Sequence, residues 1–287
     1  MDVQGSQQKK PPYGMIAILF VGAFVSFLNN SLLNIALPTI MVEFDVTAST
    51  AQWLTNGYML VSGILVPTSA FFITRFSNRK LFITAMSIFT LGTAVGAIAP
   101  EFWVLVLARM IQAAGAAMMG PLLMNIMLVS FPIAKRGAAM GVFGLVMITA
   151  PAIGPTLSGW IIEHNSWRAL FEMILPLAIL TIILAVFKMK NVTENKRATL
   201  DVLSVILSTI GFGGILYGFT SAGNKEWSDP WVYGTILIGV ISLTTFVVRQ
   251  LKMKEPLLDF RAYKLPMFAL ASVISCVLAM SMFSGMI

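Results

Sequence analysis

Long apolar runs, separated by short polar segments, make up most of the chain. A helix that crosses a bilayer needs about 20 mainly apolar residues. None of the runs alternates apolar and polar residues with period two, as the strands of a membrane β-barrel do. The pattern therefore predicts an all-α membrane protein. Its nine predicted spans cover residues 13–37, 51–72, 81–99, 102–130, 137–162, 170–187, 202–222, 231–248 and 267–287.

Composition supports a membrane protein and removes several other classes. Hydrophobic residues make up 57% of the 287 residues and charged residues only 11%, against about 25% in soluble domains. One cysteine, Cys276, and one histidine, His164, are too few for an internal disulfide, a cysteine metal site or a haem pocket. No set of nucleophile, base and orienting acid is visible, so an enzyme is the least favoured class. No Gly-rich phosphate-binding loop supports ATP-driven transport.

The basic residues orient the predicted spans. All but three of the 19 lysines and arginines fall in loops on the side of the N-terminus. The exceptions are Arg168 and Lys225 in loops on the other side, and Arg109 within a span. Because cytoplasmic loops carry the excess of basic residues, we expect a multi-pass protein of the cell (plasma) membrane with a cytoplasmic N-terminus. The net charge of +7 follows from this topology and does not indicate nucleic-acid binding.

The loops also divide the chain into parts. Spans 1 to 6 follow one another closely, and charged segments then interrupt the apolar pattern. The last run is uncharged and reaches Ile287, from which we expect a truncated chain. The expected parts are a cytoplasmic tail (1–12), a six-helix N-terminal transporter domain (13–188), a cytoplasmic linker (189–201), two additional spans (202–248), a cytoplasmic loop (249–266) and the first span of a truncated C-terminal domain (267–287).

Span 1 contains a patch of polar residues. Ser26, Asn30 and Asn34 are four residues apart and Asn29 lies three after Ser26, so all four share one helix face. Polar side chains are costly in lipid, and this face is therefore expected to look into the helix bundle. Two interpretations stay open: a lining for a transport path, or hydrogen bonds that hold neighbouring helices together.

Arg109 in span 4 is the most informative single residue. A rise of 1.5 Å per residue places it roughly 10 Å below the outer end of its helix, close to the depth expected for Asn29. No Asp or Glu lies at mid-membrane depth in the nine spans, whereas Gln112 follows by three residues on the same face. A role at depth is favoured over a snorkelling anchor. The partner of Arg109 would be a carboxylate from elsewhere or an anionic substrate group.

Span 5 combines small residues with two prolines. Ala150, Gly154 and Ser158 form a stripe at spacing four, which permits close helix contact. Pro151 and Pro155 each remove a backbone hydrogen bond and favour a bend. The span is either a bendable helix at a moving interface or a statically packed one, and the second is slightly favoured on physical grounds alone.

Six ordered stretches resemble the major facilitator superfamily along essentially the whole chain. The branch they are most similar to is that of the fourteen-span multidrug exporters of the EmrB/QacA type, which includes lincomycin-resistance-like proteins. The stretches are residues 28–38 in span 1, residues 52–60 opening span 2, Arg109–Gln112 with Gly115 in span 4, Pro151–Pro155 in span 5, Trp167-Arg168 with Phe171 and Pro176 leading into span 6, and Glu255–Leu258 before span 9.

The resemblance implies a fold and an activity. The fold would be the helical bundle of that superfamily: a six-span N-terminal domain, two inserted spans and the start of the C-terminal domain. The activity would be proton-coupled export of small amphipathic or drug-like substrates by alternating access in the lipid bilayer. It needs no cofactor, only a proton gradient as energy source, and a missing C-terminal half would be the partner of this chain.

The resemblance also assigns roles to residues. Arg109 matches an arginine linked to proton handling, and Gly154 and Pro155 match the core of an antiporter motif. Asn29 stands where the family usually has an aspartate, and asparagine cannot carry a proton near neutral pH. The expected substrate and proton pathway consists of Asn29, Asn30, Asn34, Arg109 and Gln112. The expected conformational interface consists of Pro151, Gly154, Pro155, Arg75 and Arg79.

Two rival functions share these sequence features. An importer or uniporter of a small metabolite would have the same fold. A non-transporting fragment or membrane receptor is the other alternative, because half a transporter cannot alternate between two openings.

Overall fold

A computed structural model describes residues 12–191, 201–223, 227, 229–253, 256 and 258–284. Most of the predicted tail and linker, and Glu255 and Leu257, lie outside these residues. The described helices are α1 (Tyr13–Phe44), α2 (Ala48–Ala51), α3 (Trp53–Arg75), α4 (Asn78–Ala97), α5 (Phe102–Ala116), α6 (Met119–Ser130), α7 (Ile133–His164), α8 (Arg168–Lys188), α9 (Val202–Ala222), α10 (Pro230–Lys252), a 3-10 helix (Phe260–Lys264) and α11 (Pro266–Ser284).

The helices confirm an all-α membrane fold. Eight stretches of the described chain are long and apolar enough to cross a bilayer, which agrees with eight of the nine predicted spans. The ninth run forms α11, but its described apolar stretch, Pro266–Ser281, is shorter than a span. The predicted span 102–130 is divided between α5 and α6. Pro121 explains this break, because its ring would clash with the carbonyl group of Ala117 four residues earlier.

Small residues let α4 and α5 pack with their backbones in contact. A Cβ atom on Gly92 would lie 2.6 Å from the backbone nitrogen of Gln112, and one on Gly115 would lie 2.6 Å from that of Phe89. Side chains at these positions would therefore push the two helices apart. The close approach brings the polar face of α5 against α4 and fixes the position of Gln112.

Helices α9 and α10 form a hairpin that packs on α3. Its seam is lined by glycines, and a Cβ atom on Gly239 would lie 2.7 Å from the backbone nitrogen of Ile215. The Ser242 hydroxyl donates a hydrogen bond across the seam to the carbonyl oxygen of Leu207 at 2.8 Å. On the α3 side, the rings of Trp53 and Tyr217 lie 6.0 Å apart. The predicted spans 7 and 8 therefore contact the preceding helices through α3.

The two ends of the bundle are tied by different polar groups. At the end formed by the C-terminus of α1 and the N-terminus of α8, Glu43 accepts hydrogen bonds from the Trp167 indole and the Arg168 guanidinium. Arg168 also donates to the carbonyl oxygen of Ala99 at 3.0 Å. These bonds join α1, the α4–α5 connection and α8.

At the opposite, basic end, Asp201 holds the hairpin together. Arg249 donates to both carboxylate oxygens of Asp201, at 2.9 and 3.0 Å, and Ser204 donates to one of them. The paired guanidinium, aided by Ser204, lowers the pKa of Asp201 to about 2. A bidentate, charge-assisted pair of this kind fixes the relative rotation of α9 and α10.

The Asp201–Arg249 pair makes hairpin stability depend on pH. A carboxyl group whose pKa is lowered from 3.8 to about 2 contributes stability that is complete above about pH 4 and is lost as the pH falls towards 2. The variant Asp201→Asn is therefore expected to unfold at a lower temperature than the wild type at pH 6. The gap should narrow between about pH 4 and pH 2 in thermal unfolding of the purified protein. An equal gap at pH 6 and pH 2.5 would contradict the assignment.

Candidate functional site

The structure places Arg109 inside the helix bundle. Its side chain lies on α5, is 1% exposed, and shares a face with Gln112, which is completely buried. The alternative in which Arg109 snorkels to the membrane surface is wrong, because such a side chain would be exposed. The expectation that Gln112 lies beside it is confirmed: the Arg109 Nη1 group donates to Gln112 Oε1 at 3.0 Å.

Two asparagines of α1 join this pair, as the polar face of span 1 predicts. Arg109 Nη2 donates to Asn30 Oδ1 at 3.0 Å. Gln112 Nε2 donates to Asn29 Oδ1 at 3.4 Å and to Thr93 Oγ1 on α4 at 2.9 Å. One connected network therefore links α1, α4 and α5. We name the set Asn29, Asn30, Tyr58, Thr93, Arg109 and Gln112 the Arg109 cluster.

Tyr58 contributes from α3. The Arg109 guanidinium carbon lies 4.4 Å from the centre of the Tyr58 ring, a cation–π contact. Sequence reasoning missed Tyr58 and Thr93 as members of a site. The available signal was weak, since Tyr58 lies in the motif that opens span 2 and Thr93 is one of several polar residues in span 3.

The other two polar residues of the span 1 patch, Ser26 and Asn34, are not members of the Arg109 cluster. Ser26 is buried, and its hydroxyl donates to the carbonyl oxygen of Gly22 within α1. Asn34 is exposed, one turn beyond Asn30. Its membership of a substrate pathway stays a prediction.

A second feature is the tight contact between α1 and α7. Gly154 is buried, and a Cβ atom there would overlap Ser31 Oγ and lie 2.6 Å from Ser31 Cβ. One turn later, the Ser158 hydroxyl donates to the carbonyl oxygen of Leu32 at 2.7 Å. The small-residue stripe of span 5 thus makes the close helix contact that its spacing predicts.

The prolines of α7 explain a cross-helix hydrogen bond in this seam. Pro155 has no N–H group, so the carbonyl oxygen of Pro151, four residues earlier, has no partner in its own helix. The Ser31 hydroxyl donates to that oxygen at 3.2 Å. Helix α7 continues unbroken through both prolines. Ser31 therefore supplies the hydrogen bond that the Pro151 carbonyl oxygen lacks within α7. Sequence reasoning did not single out Ser31.

Arg75 and Arg79, which are expected at the conformational interface, lie at the basic end of the helix bundle. Arg79, in the first turn of α4, donates through Nη2 to the carbonyl oxygen of Val186 at 2.6 Å, and its backbone N–H reaches Asn191 Oδ1 at 3.4 Å. Arg75 ends α3 and is exposed. Arg79 thus ties α4 to the end of α8, far along the helices from Gly154.

Comparison with known sequences supports a transporter family. The profile of the Major Facilitator Superfamily matches residues 19–287. YhcA of Bacillus subtilis (strain 168), an uncharacterized MFS-type transporter, is 49% identical over 277 residues, which are 96% of this chain and 52% of YhcA. The lincomycin resistance protein LmrB of the same strain is 45% identical over 286 residues, 99% of this chain and 60% of LmrB. The chain therefore spans between half and three fifths of the length of these relatives.

A solved structure agrees in fold. The human organic anion transporter MFSD10 (TETRAN) matches with a TM-score of 0.59 at 12% sequence identity, over 84% of this chain and 72% of that one. At this identity the agreement concerns the arrangement of helices alone.

Proposed function

Because the chain belongs to the major facilitator superfamily, a family of membrane transporters rather than enzymes, we propose that it acts in a multidrug efflux transporter of the plasma membrane. The proposed mechanism is exchange of a small amphipathic substrate for protons by alternating access. The proposal includes the fourteen-span branch, a cytoplasmic N-terminus and the division into a six-span domain (13–188) and two additional spans (202–248).

The observation that carries the proposal is the Arg109 cluster. A guanidinium that is 1% exposed inside a membrane bundle is costly, and intramembrane ionisable residues generally mark substrate or ion pathways. It donates hydrogen bonds to Asn30 on α1 and to Gln112 on its own helix, and it contacts the Tyr58 ring on α3. Gln112 in turn donates to Thr93 on α4. A charge that α1 and α3 contact directly, and α4 through Gln112, responds to a movement of any of these helices. A transporter needs such a response in order to couple a buried charge to a change in helix packing.

Helix α7 supports alternating access as the movement. It packs on α1 within the six-span domain through small side chains and two side chain–backbone hydrogen bonds, and much of its remaining surface is exposed, where a second bundle can contact it. In transporters of this type, bundles rock against each other around a site near the bilayer midplane. We assign Pro151, Gly154 and Pro155 to the moving interface, with Arg75 and Arg79 at its basic end.

The relatives favour drugs over metabolites as substrates. One relative is named for lincomycin resistance. Another, from Mycobacterium tuberculosis (strain CDC 1551 / Oshkosh), is named a multidrug resistance protein B homolog and is 26% identical over 270 residues, 93% of this chain and 50% of that protein. We therefore take lincomycin and ethidium as the first probes.

Transport in inside-out vesicles tests the proposal. The protein, expressed from its complete reading frame, is expected to accumulate ethidium or lincomycin when the vesicle interior is acidified by 2 pH units. For an exchange of one proton per substrate, that gradient supports an accumulation of up to about 100-fold. Addition of a protonophore should release the substrate. Uptake that follows the substrate gradient alone, with no proton movement, would instead identify a uniporter or importer.

A further inference from the structure

Two buried N–H groups of the Arg109 cluster have no hydrogen-bond partner among the residues that the structure describes. They are Asn29 Nδ2, on a side chain that is 4% exposed, and Arg109 Nε, on one that is 1% exposed. Leaving a buried donor unpaired costs about 1–3 kcal/mol, and more for a charged group. Two such donors in one cluster indicate that an acceptor belongs there.

Four side-chain oxygens of the cluster each accept one hydrogen bond. Asn30 Oδ1 and Gln112 Oε1 each accept a hydrogen bond from Arg109. Asn29 Oδ1 and Thr93 Oγ1 each accept one from Gln112, and the Thr93 hydroxyl also donates to the Phe89 carbonyl oxygen. An amide oxygen can accept a second bond, but none of these four oxygens accepts one from Asn29 Nδ2 or Arg109 Nε, so these two donors are left over.

The charge of the cluster is also unbalanced. A guanidinium stays protonated in proteins. The contacts recorded for Arg109 in the described part of the chain are two amide oxygens and the Tyr58 ring, and none is a carboxylate. An aromatic ring offsets only part of a full charge.

A water molecule is a poor match for this arrangement. Buried waters typically make about three hydrogen bonds and donate in some of them. A water between Asn29 and Arg109 would accept two bonds, but it is neutral and would leave the guanidinium charge unbalanced. A small anion accepts hydrogen bonds without donating any, and it supplies the missing negative charge.

We propose that the Arg109 cluster binds one small monovalent anion, a halide or a carboxylate, through the Asn29 Nδ2 and Arg109 N–H groups. Both groups are buried, so the bound anion is enclosed within the helix bundle. The binding site is independent of the proposed drug export, because it follows from the donors and the charge of the cluster alone.

Thermal unfolding of the purified protein tests the site without any transport assay. We expect 100 mM chloride or formate to raise the unfolding temperature by about 4 °C relative to 100 mM gluconate at equal ionic strength, since a ligand that binds only the folded state stabilises it. Gluconate serves as the reference because it is too large for a site enclosed between two helices. Equal unfolding temperatures in the three salts would overturn the proposal.

Asn29→Asp gives a direct test of the mechanism. The new carboxylate places an oxygen at or near the position of Nδ2 and adds a fixed negative charge within the Arg109 cluster, which removes the need for a free anion. We expect this variant to lose the chloride effect and to unfold, in gluconate, at or above the wild-type temperature. The matched control Asn165→Asp adds the same charge at an exposed loop and should keep the full chloride effect.

These measurements distinguish a free anion from a group of the protein as the hydrogen-bond acceptor for the two unpaired donors. Stabilisation by chloride and formate alike supports a free-anion site, and formate alone points to carboxylate ligands. If chloride still stabilises Asn29→Asp as strongly as the wild type, the anion binds elsewhere and the assignment is wrong. If neither salt stabilises the wild type, a group of the protein itself completes the cluster. Drug export can succeed or fail in vesicles under either result.

Discussion

The variant Arg109→Ala is expected to reduce proton-driven export of ethidium or lincomycin by at least about tenfold. The substitution removes the only charge in the cluster and leaves Asn30 and Gln112 without their shared donor. Hydrogen bonds to charged groups contribute about 1.5–3 kcal/mol each, and 1.4 kcal/mol is a tenfold change in a rate or an equilibrium. The measurement is the initial rate of substrate accumulation in acidified inside-out vesicles, normalised to the amount of protein in the membrane.

Two further variants make the Arg109 result specific. Arg109→Lys keeps the charge but loses the planar fork that reaches Asn30 and Gln112 together, so it should restore little of the export. Arg136→Ala, in which the lost contact is one hydrogen bond to the Phe131 carbonyl oxygen, should export at nearly the wild-type rate. Full export by Arg109→Ala at unchanged membrane abundance would remove Arg109 from the transport mechanism.

The variant Gly154→Val is expected to lower the unfolding temperature by about 5 °C. Even its Cβ atom would overlap Ser31 Oγ and approach Ser31 Cβ to 2.6 Å, so α1 and α7 would have to separate. Overpacking of this kind costs about 1–3 kcal/mol, and for proteins above 150 residues each kcal/mol corresponds to roughly 2–4 °C. Separation would also lengthen the hydrogen bonds from Ser31 and Ser158 across the seam.

Gly144 provides a matched control on the same helix. A Cβ atom there meets nothing within 4 Å, so Gly144→Val should unfold within about 1 °C of the wild type. A comparable loss of stability in both variants would mean that valine itself, rather than the α1–α7 contact, destabilises α7. If Gly154→Val unfolds at the wild-type temperature, the seam is looser than its distances indicate.

The positions of Arg109 and Gln112 illustrate which features of the site can be predicted from residue spacing alone. Their spacing of three residues places them on one face, and their distance from the helix end places Arg109 at the depth of Asn29. Helix geometry is regular, so face and depth follow from residue numbers. The same regularity gave the contact face of span 5. The pattern did not distinguish Asn30, which bonds Arg109, from Asn34, which is exposed.

The sequence by itself determined the eight membrane-spanning stretches of the described chain, the all-α fold, the polar face of α1 and the small-residue stripe of α7. These properties depend on local hydropathy and on the helical repeat. Only the tertiary structure decided that Tyr58 and Thr93 complete the cluster, that Ser31 pairs with the Pro151 carbonyl oxygen and that Asp201 pairs with Arg249. In a bilayer, apolar helices gain little free energy by contacting one another instead of the lipid acyl chains around them. The choice of neighbours therefore rests on close packing and on polar pairs between residues far apart in sequence.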